Sequence, residues 1–244
     1  MQNIMLRIAY DGTAFAGYQE QENCRTVAGV LRGAVETLTG RSTRLIAAGR
    51  TDAGVHAEDQ VVNFLTHLDW PADAFLYQLR RLLPDDLLLR SAQVEIPSFH
   101  ARFAPHKTTY RYVVENGPYV LPTERHTVFS YTFPLNDALI LEAARRLEGT
   151  HQFAAFSVPD PYRNSQRTVD AVTIERQATR LILRFTADGF LHRQVRFMTG
   201  AILLAGRGAL DLCTLSAALE DPNAKPIAFC ADAKGLVLEK IAYQ

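Results

Sequence analysis

The sequence has few of the features that mark secreted, zinc-binding or membrane proteins. It contains three cysteines in 244 residues, and Cys24, Cys213 and Cys230 lie far apart and outside any C-x-x-C pair. Neither a disulfide framework nor a zinc site is therefore indicated, and a reducing cytoplasm is the expected location. The longest apolar stretch, near Ala201 to Ala205, is far too short to span a bilayer. The sequence predicts neither a signal peptide nor a membrane anchor.

An excess of one charge is missing as well. The 26 Lys and Arg residues balance 26 Asp and Glu residues, so the formal net charge is zero and any binding of a polyanion must come from local patches. Lysine is scarce, with only four residues, and the other 22 basic residues are arginines. Arginine binds phosphate bidentately and stacks on bases. The composition therefore permits RNA binding without requiring it.

Several known nucleotide-binding and RNA-binding motifs are absent. The sequence has no G-x-x-x-x-G-K and no G-x-G-x-x-G, which disfavours nucleotide hydrolysis. It also lacks the aromatic signature of RNA-recognition modules. Any RNA chemistry must therefore be argued from other residues.

Apolar periodicity predicts the order β-α-β-β-α-β in the first half. Thr26 is the expected N-cap of the first helix and Gly40 its C-terminal stop. The predicted elements are strands at 4–10, 45–48, 60–66 and 87–95 and helices at 26–39 and 71–82.

The second half repeats this order approximately. Its predicted elements are strands at 108–115, 127–131, 170–176, 180–187 and 236–242 and helices at 136–147, 190–205 and 212–219. We interpret the chain as α+β, with two ferredoxin-like βαββαβ halves at residues 1–104 and 105–244. Their antiparallel sheets are expected to join, with helices on one side and an open face on the other that suits an RNA strand.

The densest group of reactive side chains lies in the segment from Ala48 to Asp59, between two predicted strands. Its glycines indicate a constrained loop. Asp52 can pair with Arg50, and such pairing favours the ionised carboxylate that a nucleophile or general base needs. An ordinary ion pair in a loop explains the same pattern.

A metal site and a glycosidase site are two other interpretations of this segment. Asp52, His56 and Asp59 match no established spacing of metal ligands, so a metal site is not expected. A glycosidase needs two carboxylates beside the scissile bond, and Asp11, Asp52, Glu58 and Asp59 are available. The sequence does not show which of these carboxylates converge.

Basic and aromatic residues alternate elsewhere in the chain. The segment from Phe99 to Lys107 leads into Tyr110, as expected for binding a single strand. Tyr110 and Tyr112 lie on one face of their strand, where they serve either RNA or ordinary packing. His192 and Arg196 are four residues apart and are predicted to share one face of a helix, either a solvated basic face or part of an active site.

The segment from Gly49 to Ala57 resembles the signature of the tRNA pseudouridine synthase A family. Other segments match that family in its order along nearly the whole chain. These are Tyr10-Asp11-Gly12-Thr13 with Phe15 and Gly17, Phe99-His100-Ala101-Arg102, Tyr110-Arg111-Tyr112, Arg167-Thr168, Val195-Arg196 and Gly235-Leu236.

The resemblance implies isomerisation of uridine to pseudouridine at positions thirty-eight, thirty-nine and forty of the anticodon stem and loop of tRNA, in the cleft of the open face. It implies a cytoplasmic homodimer that uses no cofactor and no metal. Asp52 corresponds to the catalytic carboxylate and Arg50 to the arginine that pairs with it and assists base extrusion. Tyr110 corresponds to the tyrosine that stacks on uracil, Arg196 to an arginine beside the aspartate, and Leu236 to an apolar wall.

Arg102 and His192 are predicted to bind substrate as well, because each lies in a basic segment. The chain departs from the family pattern at Tyr18, Leu82, Gln152 and Phe197, where tryptophan, asparagine, aspartate and asparagine are usual. None of these positions is the catalytic carboxylate, so the departures concern RNA docking. A non-catalytic RNA-binding protein and a base-excising glycosidase are the alternatives.

Overall fold

The computed structural model describes residues 1–160, 162 and 164–244. These residues form ten strands and five α-helices, which confirms the α+β class. They divide into an N-terminal unit, Met1–His106 with Val237–Gln244, and a C-terminal unit, Lys107–Leu236. The sequence predicts a division at residue 104 that places the last strand in the second half. In the structure this strand belongs to the N-terminal unit. No helix in the described part of the chain is long and apolar enough to cross a membrane.

The N-terminal unit follows the predicted order β-α-β-β-α-β. Its elements are β1 Gln2–Tyr10, α1 Val27–Thr39, β2 Ile46–Ala47, β3 His56–Thr66, α2 Ala72–Arg80 and β4 Leu87–Glu95. The strands pair in the order β4-β1-β3, with β2 also on β3, and all these pairs are antiparallel.

The last strand, β10 at Leu236–Tyr243, also pairs with β3. It runs parallel to β3, with Val237 opposite His56 and Leu238 opposite Ala57. This pairing differs from the fully antiparallel arrangement that the sequence predicts. It also explains why residues near both ends of the chain belong to one unit.

Strand β1 lies between β3 and β4, and the alternating apolar side chains of one of its faces are buried. Ile4, Leu6 and Ile8 are fully buried. The register of β1 against β3 shifts between Ile8 and Tyr10, and such irregularities change the direction in which the next side chain points. The end of β1 is therefore shaped by a local irregularity next to the segment that follows it.

Helix α1 has the predicted capping residues. The Thr26 hydroxyl accepts a hydrogen bond from Gly29 N, and Gly40 adopts a left-handed conformation at the C-terminus. Val27, Leu31 and Val35 are fully buried on the inner face of the helix. The start and end of this helix are therefore specified locally, as the sequence predicts.

The strands of the C-terminal unit pair mostly antiparallel. Its elements are β5 His106–Glu115, β6 Phe129–Ser130, α3 Asp137–Arg146, β7 Gly149–Gln152, β8 Gln166–Gln177, β9 Arg180–Ala187, α4 Gln194–Gly206 and α5 Leu212–Glu220. The strands pair in the order β5-β9-β8-β7, and β6 pairs with β5 in parallel.

Two elements of the C-terminal unit differ from prediction. Strand β7 was not predicted, because its Gly-Thr-His-Gln sequence has no apolar alternation and it pairs only with β8. Helix α4 begins at Gln194 and not at residue 190, because Arg193 has a φ of 62° and the Gln194 side chain accepts a hydrogen bond from Leu191 N. The prediction that His192 and Arg196 share one helical face is therefore wrong.

Candidate active site

The Asp52 loop, residues 48–55, connects β2 to β3 in the N-terminal unit. Asp52 is partly exposed. Its backbone carbonyl accepts a hydrogen bond from Val55 N at 3.2 Å, and Gly54 has a φ of 78°. Asp52 thus stands at the start of a tight turn immediately before β3.

The segment from Tyr10 to Tyr18 holds the Asp52 loop on both sides of the aspartate. Tyr18 N donates to Thr51 O at 3.0 Å, and Gly54 N donates to Phe15 O at 3.4 Å. The buried hydroxyls of Tyr10 and Thr51 lie 2.9 Å apart in a hydrogen bond. Burial raises the pKa of the Tyr10 phenol to about 12, so this hydroxyl stays protonated at neutral pH. These contacts fix the backbone around Asp52.

Two glycines allow this close approach. A Cβ on Gly12 would lie 2.1 Å from the carbonyl oxygen of Val55. Gly17 has a φ of 95°, and a Cβ there would lie 3.0 Å from Thr51 O and 3.2 Å from Ala53 N. Any side chain at either position would push the segment away from the loop. Close backbone contact therefore explains why the matching segment that begins at Tyr10 has glycine at positions 12 and 17.

His56 has a supporting position at the start of β3. Its side chain is buried, and its Nδ1 accepts a hydrogen bond from Gly12 N at 3.1 Å. Asp11 Oδ1 lies 3.2 Å from the same nitrogen and accepts a hydrogen bond from Thr13 N. Both side chains therefore take part in joining the two segments.

A second carboxylate of the segment from Ala48 to Asp59, that of Asp59, takes part in ion pairs. Asp59 is buried and contacts Arg7 and Arg90, and it lies 3.4 Å from Ile241 N. Its role is to tie β1, β3, β4 and β10 together. Within the described residues, no group of three or more His, Cys, Asp or Glu side chains could hold a metal ion.

Arg50 is the other predicted site residue of the Asp52 loop, and Tyr18 lies next to it in the supporting segment. Arg50 is exposed. Burial raises the pKa of the Tyr18 phenol, and the nearby charge of Arg50 acts in the opposite direction. The Tyr18 hydroxyl is buried and has no hydrogen-bond partner among the described residues. Tyr18, a departure from the family pattern, thus supports the loop through its backbone N–H. Pairing of Arg50 with Asp52 stays a prediction.

We expect Tyr18→Phe to raise the free energy of unfolding by about 1 kcal/mol, because it removes a buried polar group that gains no hydrogen bond in the folded protein. Urea denaturation of the two proteins measures the difference. A loss of stability would contradict the absence of a partner for this hydroxyl.

An ion pair supports the same segment from the side of β4. Arg25 Nη1 and Nη2 donate to the two carboxylate oxygens of Asp86 at 2.7 and 2.8 Å. The Arg25 guanidinium lies 4.1 Å from the centre of the Phe15 ring, and Asp11 N donates to Asp86 O. The hydrogen bond from Arg25 holds the pKa of Asp86 below its usual value.

We expect Asp86→Asn to lower the free energy of unfolding by about 0.5–1 kcal/mol at neutral pH, the range for a partly exposed ion pair. Because the pKa of Asp86 is lower in the folded state, the pair stabilises the protein fully above the unfolded pKa and loses its effect as pH falls through the folded value. Urea denaturation at about pH 7 and about pH 3 should show a gap that shrinks in acid. A gap of equal size at both pH values would exclude this ion pair as its origin.

In the C-terminal unit, β5 carries the two predicted tyrosines. Tyr110 is almost buried, and its ring meets Phe190 edge to face at 5.5 Å. Tyr112 is fully buried, and its hydroxyl donates to Asp232 O at 2.6 Å. A Cβ on Gly235 would lie 2.7 Å from the Tyr112 ring. Tyr112 is therefore a core residue, whereas Tyr110 lies at the boundary of the core.

Arg196 and His192, the two basic site residues predicted in the C-terminal unit, differ in exposure and in position relative to α4. Arg196, on α4, is partly exposed, and its Nε donates to Ala231 O at 2.6 Å. Burial raises the pKa of Tyr112, and the positive charge of Arg196 acts in the opposite direction. His192 is exposed in the turn before α4. Arg196 is thus anchored by the backbone in its own unit, next to Tyr112.

Leu236 and Arg102 complete the predicted set. Leu236 is buried at the start of β10, whereas Arg102 is exposed in the N-terminal unit with its guanidinium 5.9 Å from the centre of the Phe103 ring. Leu236 is thus a buried apolar side chain, whereas the Arg102 side chain contacts solvent.

A polar cleft of about 370 Å³ lies in the C-terminal unit. The Thr150 and Thr168 hydroxyls are 2.8 Å apart in it, and Arg167 Nη1 donates to Asn164 O at 3.0 Å. Its lining residues are Thr150, Gln166, Arg167, Thr168, Asp188 and Gly189. The pair Arg167-Thr168, which matches the family pattern, lines this cleft, but the sequence predicts no site there.

The other departures from the family pattern have ordinary surroundings. The Gln152 side chain accepts a hydrogen bond from the Ser165 hydroxyl at 2.7 Å. Leu82 is exposed, and Phe197 is partly exposed on α4. None of these side chains alters the support of Asp52 within the N-terminal unit.

Comparison with known proteins assigns the family. A family model described as tRNA pseudouridine synthase matches residues 7–104 and 143–244. A protein of Thermoanaerobacter sp. (strain X514) named tRNA pseudouridine synthase A is 36% identical over 244 residues, 100% of each chain. Proteins of that name from Acetivibrio thermocellus and from Chloroflexus aurantiacus (strain ATCC 29366 / DSM 635 / J-10-fl) are 36% and 38% identical, over 100% of this chain and 100% and 89% of their own. Because these matches extend along the chain and include the Asp52 loop, this protein belongs to the tRNA pseudouridine synthase family, whose members are isomerases.

Proposed function

We propose that this isomerase converts uridine to pseudouridine at positions thirty-eight, thirty-nine and forty of the anticodon stem and loop of tRNA, with Asp52 as the catalytic carboxylate. The observation that carries the proposal is the fixed backbone of the Asp52 loop, which Tyr10, Phe15 and Tyr18 hold on both sides of the aspartate. Such rigid support of a partly exposed carboxylate is what a reacting group requires.

The reaction breaks the N1 glycosidic bond, turns the detached uracil and joins C5 to C1′, releasing the C5 proton. Asp52 must be ionised, whether it attacks C1′ or uracil C6 or removes a sugar proton. We assign to Arg50 and Arg196 the task of keeping that carboxylate charged in a site from which water is excluded. Arg50 also assists extrusion of the target nucleotide from its stack.

Tyr110 supplies a flat face for the extruded uracil and a hydroxyl that moves the C5 proton at the end of the reaction. Leu236 forms an apolar wall for the base, and Arg102 and His192 bind the RNA. Unstacking the target costs a few kcal/mol, which contacts between arginines and phosphates offset. These assignments use no metal and no cofactor.

Tritium release from tRNA labelled at uracil C5 tests the proposal, with purified protein and no added metal or cofactor. Release to water, with the labelled position mapped to the anticodon stem and loop, is the expected result. Tight tRNA binding without release would favour a binding module, and free uracil in the supernatant would favour a glycosidase.

We also propose that the enzyme works as a homodimer, which would let one tRNA contact two copies of a chain with no net charge. Light scattering after size exclusion should give twice the 27.2 kDa chain mass. A monomer mass at assay concentrations would contradict it.

A further inference from the structure

A small aromatic and basic surface lies at the tip of residues 100–103 in the N-terminal unit. Phe103 is 74% exposed. Its ring stacks on His100, with the ring centres 4.4 Å apart and an angle of 21° between the planes. The Arg102 guanidinium lies over the same ring, 5.9 Å from its centre. We call these three side chains the Phe103 platform.

The backbone beneath the Phe103 platform is held by buried polar groups. Ala101 is fully buried, and its N–H donates to Asn63 Oδ1 at 2.9 Å while its carbonyl accepts from the Tyr243 hydroxyl at 2.6 Å. Asn3 Nδ2 donates to Phe99 O at 2.8 Å, and Asn63 Nδ2 donates to Asn3 Oδ1. The backbone next to Phe103 is therefore fixed, although the Phe103 ring contacts solvent.

The fold does not account for this arrangement. A ring that is mostly exposed buries little apolar surface, so it contributes little to folding. The Nδ1 atom of His100 is buried and has no hydrogen-bond partner among the described residues, so its ring is placed by packing under Phe103 and not by a hydrogen bond at that atom. A rigid, exposed aromatic ring beside an arginine suits a flat, anionic partner.

We propose that the Phe103 platform binds an unpaired nucleobase of the substrate RNA, with the base stacked on Phe103 and Arg102 near the adjoining phosphate. This inference rests on the proposed function for the nature of the RNA. Stacking of bases on aromatic side chains is sequence-tolerant and strong enough to change affinity several-fold to a hundredfold. Phe103 is thus a substrate-binding residue that takes no part in the bond changes.

The test compares the wild type with Phe103→Leu and Phe103→Trp. Leucine keeps the apolar character but loses the ring, so we expect KM and the Kd for tRNA to rise about tenfold with kcat unchanged. Tryptophan keeps a stacking face and should restore both values. Thermal denaturation should give the same Tm for all three proteins, because the side chain is exposed.

A matched control is available on α2. Tyr77 is 62% exposed, with the Arg81 guanidinium 5.7 Å from its ring centre, and ring–ring stacking is recorded for Phe103 but not for Tyr77 among the described residues. Tyr77→Leu should leave KM and Kd unchanged. An unchanged KM and Kd in Phe103→Leu, or an equal loss in Tyr77→Leu, would overturn the platform. Because Kd is measured separately, the platform remains testable if the wild type releases no tritium and the proposed function fails.

Discussion

Asp52→Ala should reduce tritium release from tRNA at least about a thousandfold, while the Kd for tRNA changes by less than about tenfold, or ~1.4 kcal/mol. Asp52 is partly exposed at the start of a turn, and the backbone contacts of Thr51, Gly54 and Val55 do not depend on its carboxylate. The substitution therefore removes the carboxylate to which we assign the reaction and leaves the loop in place. Single-turnover assays with saturating enzyme separate this loss of chemistry from weaker binding.

Two companion variants sharpen the result. Asp52→Asn keeps the size of the side chain and removes its charge, so it should be as inactive as alanine. Glu58→Gln removes a carboxylate from an exposed position on β3, and it should retain the wild-type rate. Turnover by Asp52→Asn at more than a few per cent of the wild-type rate would remove Asp52 from its catalytic role.

Tyr110→Phe should bind tRNA with nearly unchanged affinity and lose product formation by about a hundredfold or more. The phenylalanine ring keeps the edge-to-face contact with Phe190 and the face on which a base can stack, so binding survives. The hydroxyl that we assign to movement of the C5 proton is lost, and removal of a general acid or base costs about 10²–10⁴ in rate. The measurement is pseudouridine formed per enzyme in a single turnover.

Tyr112→Phe provides the matched control, since it makes the same chemical change two residues away on the same face of β5. Its hydroxyl is bonded to Asp232 O in the core, so we expect a loss of about 1 kcal/mol in stability and a normal rate for the folded protein. Equal rates for Tyr110→Phe and wild type would show that the Tyr110 hydroxyl moves no proton.

Local signals made much of the fold predictable. The N-cap Thr26, the stop at Gly40 and the alternation along β9 act within a few residues, and the structure has these elements at the predicted places. The Asp52 loop was equally predictable from the sequence, because its reactive residues are contiguous and bounded by glycines. Strand β7 was not predictable, since a short polar strand derives its stability from its partner, β8.

What the sequence could not reveal is contact between distant segments. Gly12 and Gly17 are visible as glycines, yet their purpose depends on an approach to residues some forty positions later, which only the folded chain brings about. Support of the Phe103 platform by Asn3 and Asn63 likewise joins residues from opposite ends of the N-terminal unit. The early start predicted for α4 failed because one residue, Arg193, adopts a left-handed backbone that periodicity does not report.

The pairing of β10 with β3 makes the N-terminal unit depend on residues that are synthesised after the whole C-terminal unit. Residues 237–244 supply the parallel neighbour of His56 and Ala57, immediately after the Asp52 loop. A nascent chain that still lacks them has an unpaired edge on β3 and an Asp59 carboxylate without its contact to Ile241 N. A chain that stops before residue 237 therefore lacks part of the N-terminal unit, although residues 1–106 are present.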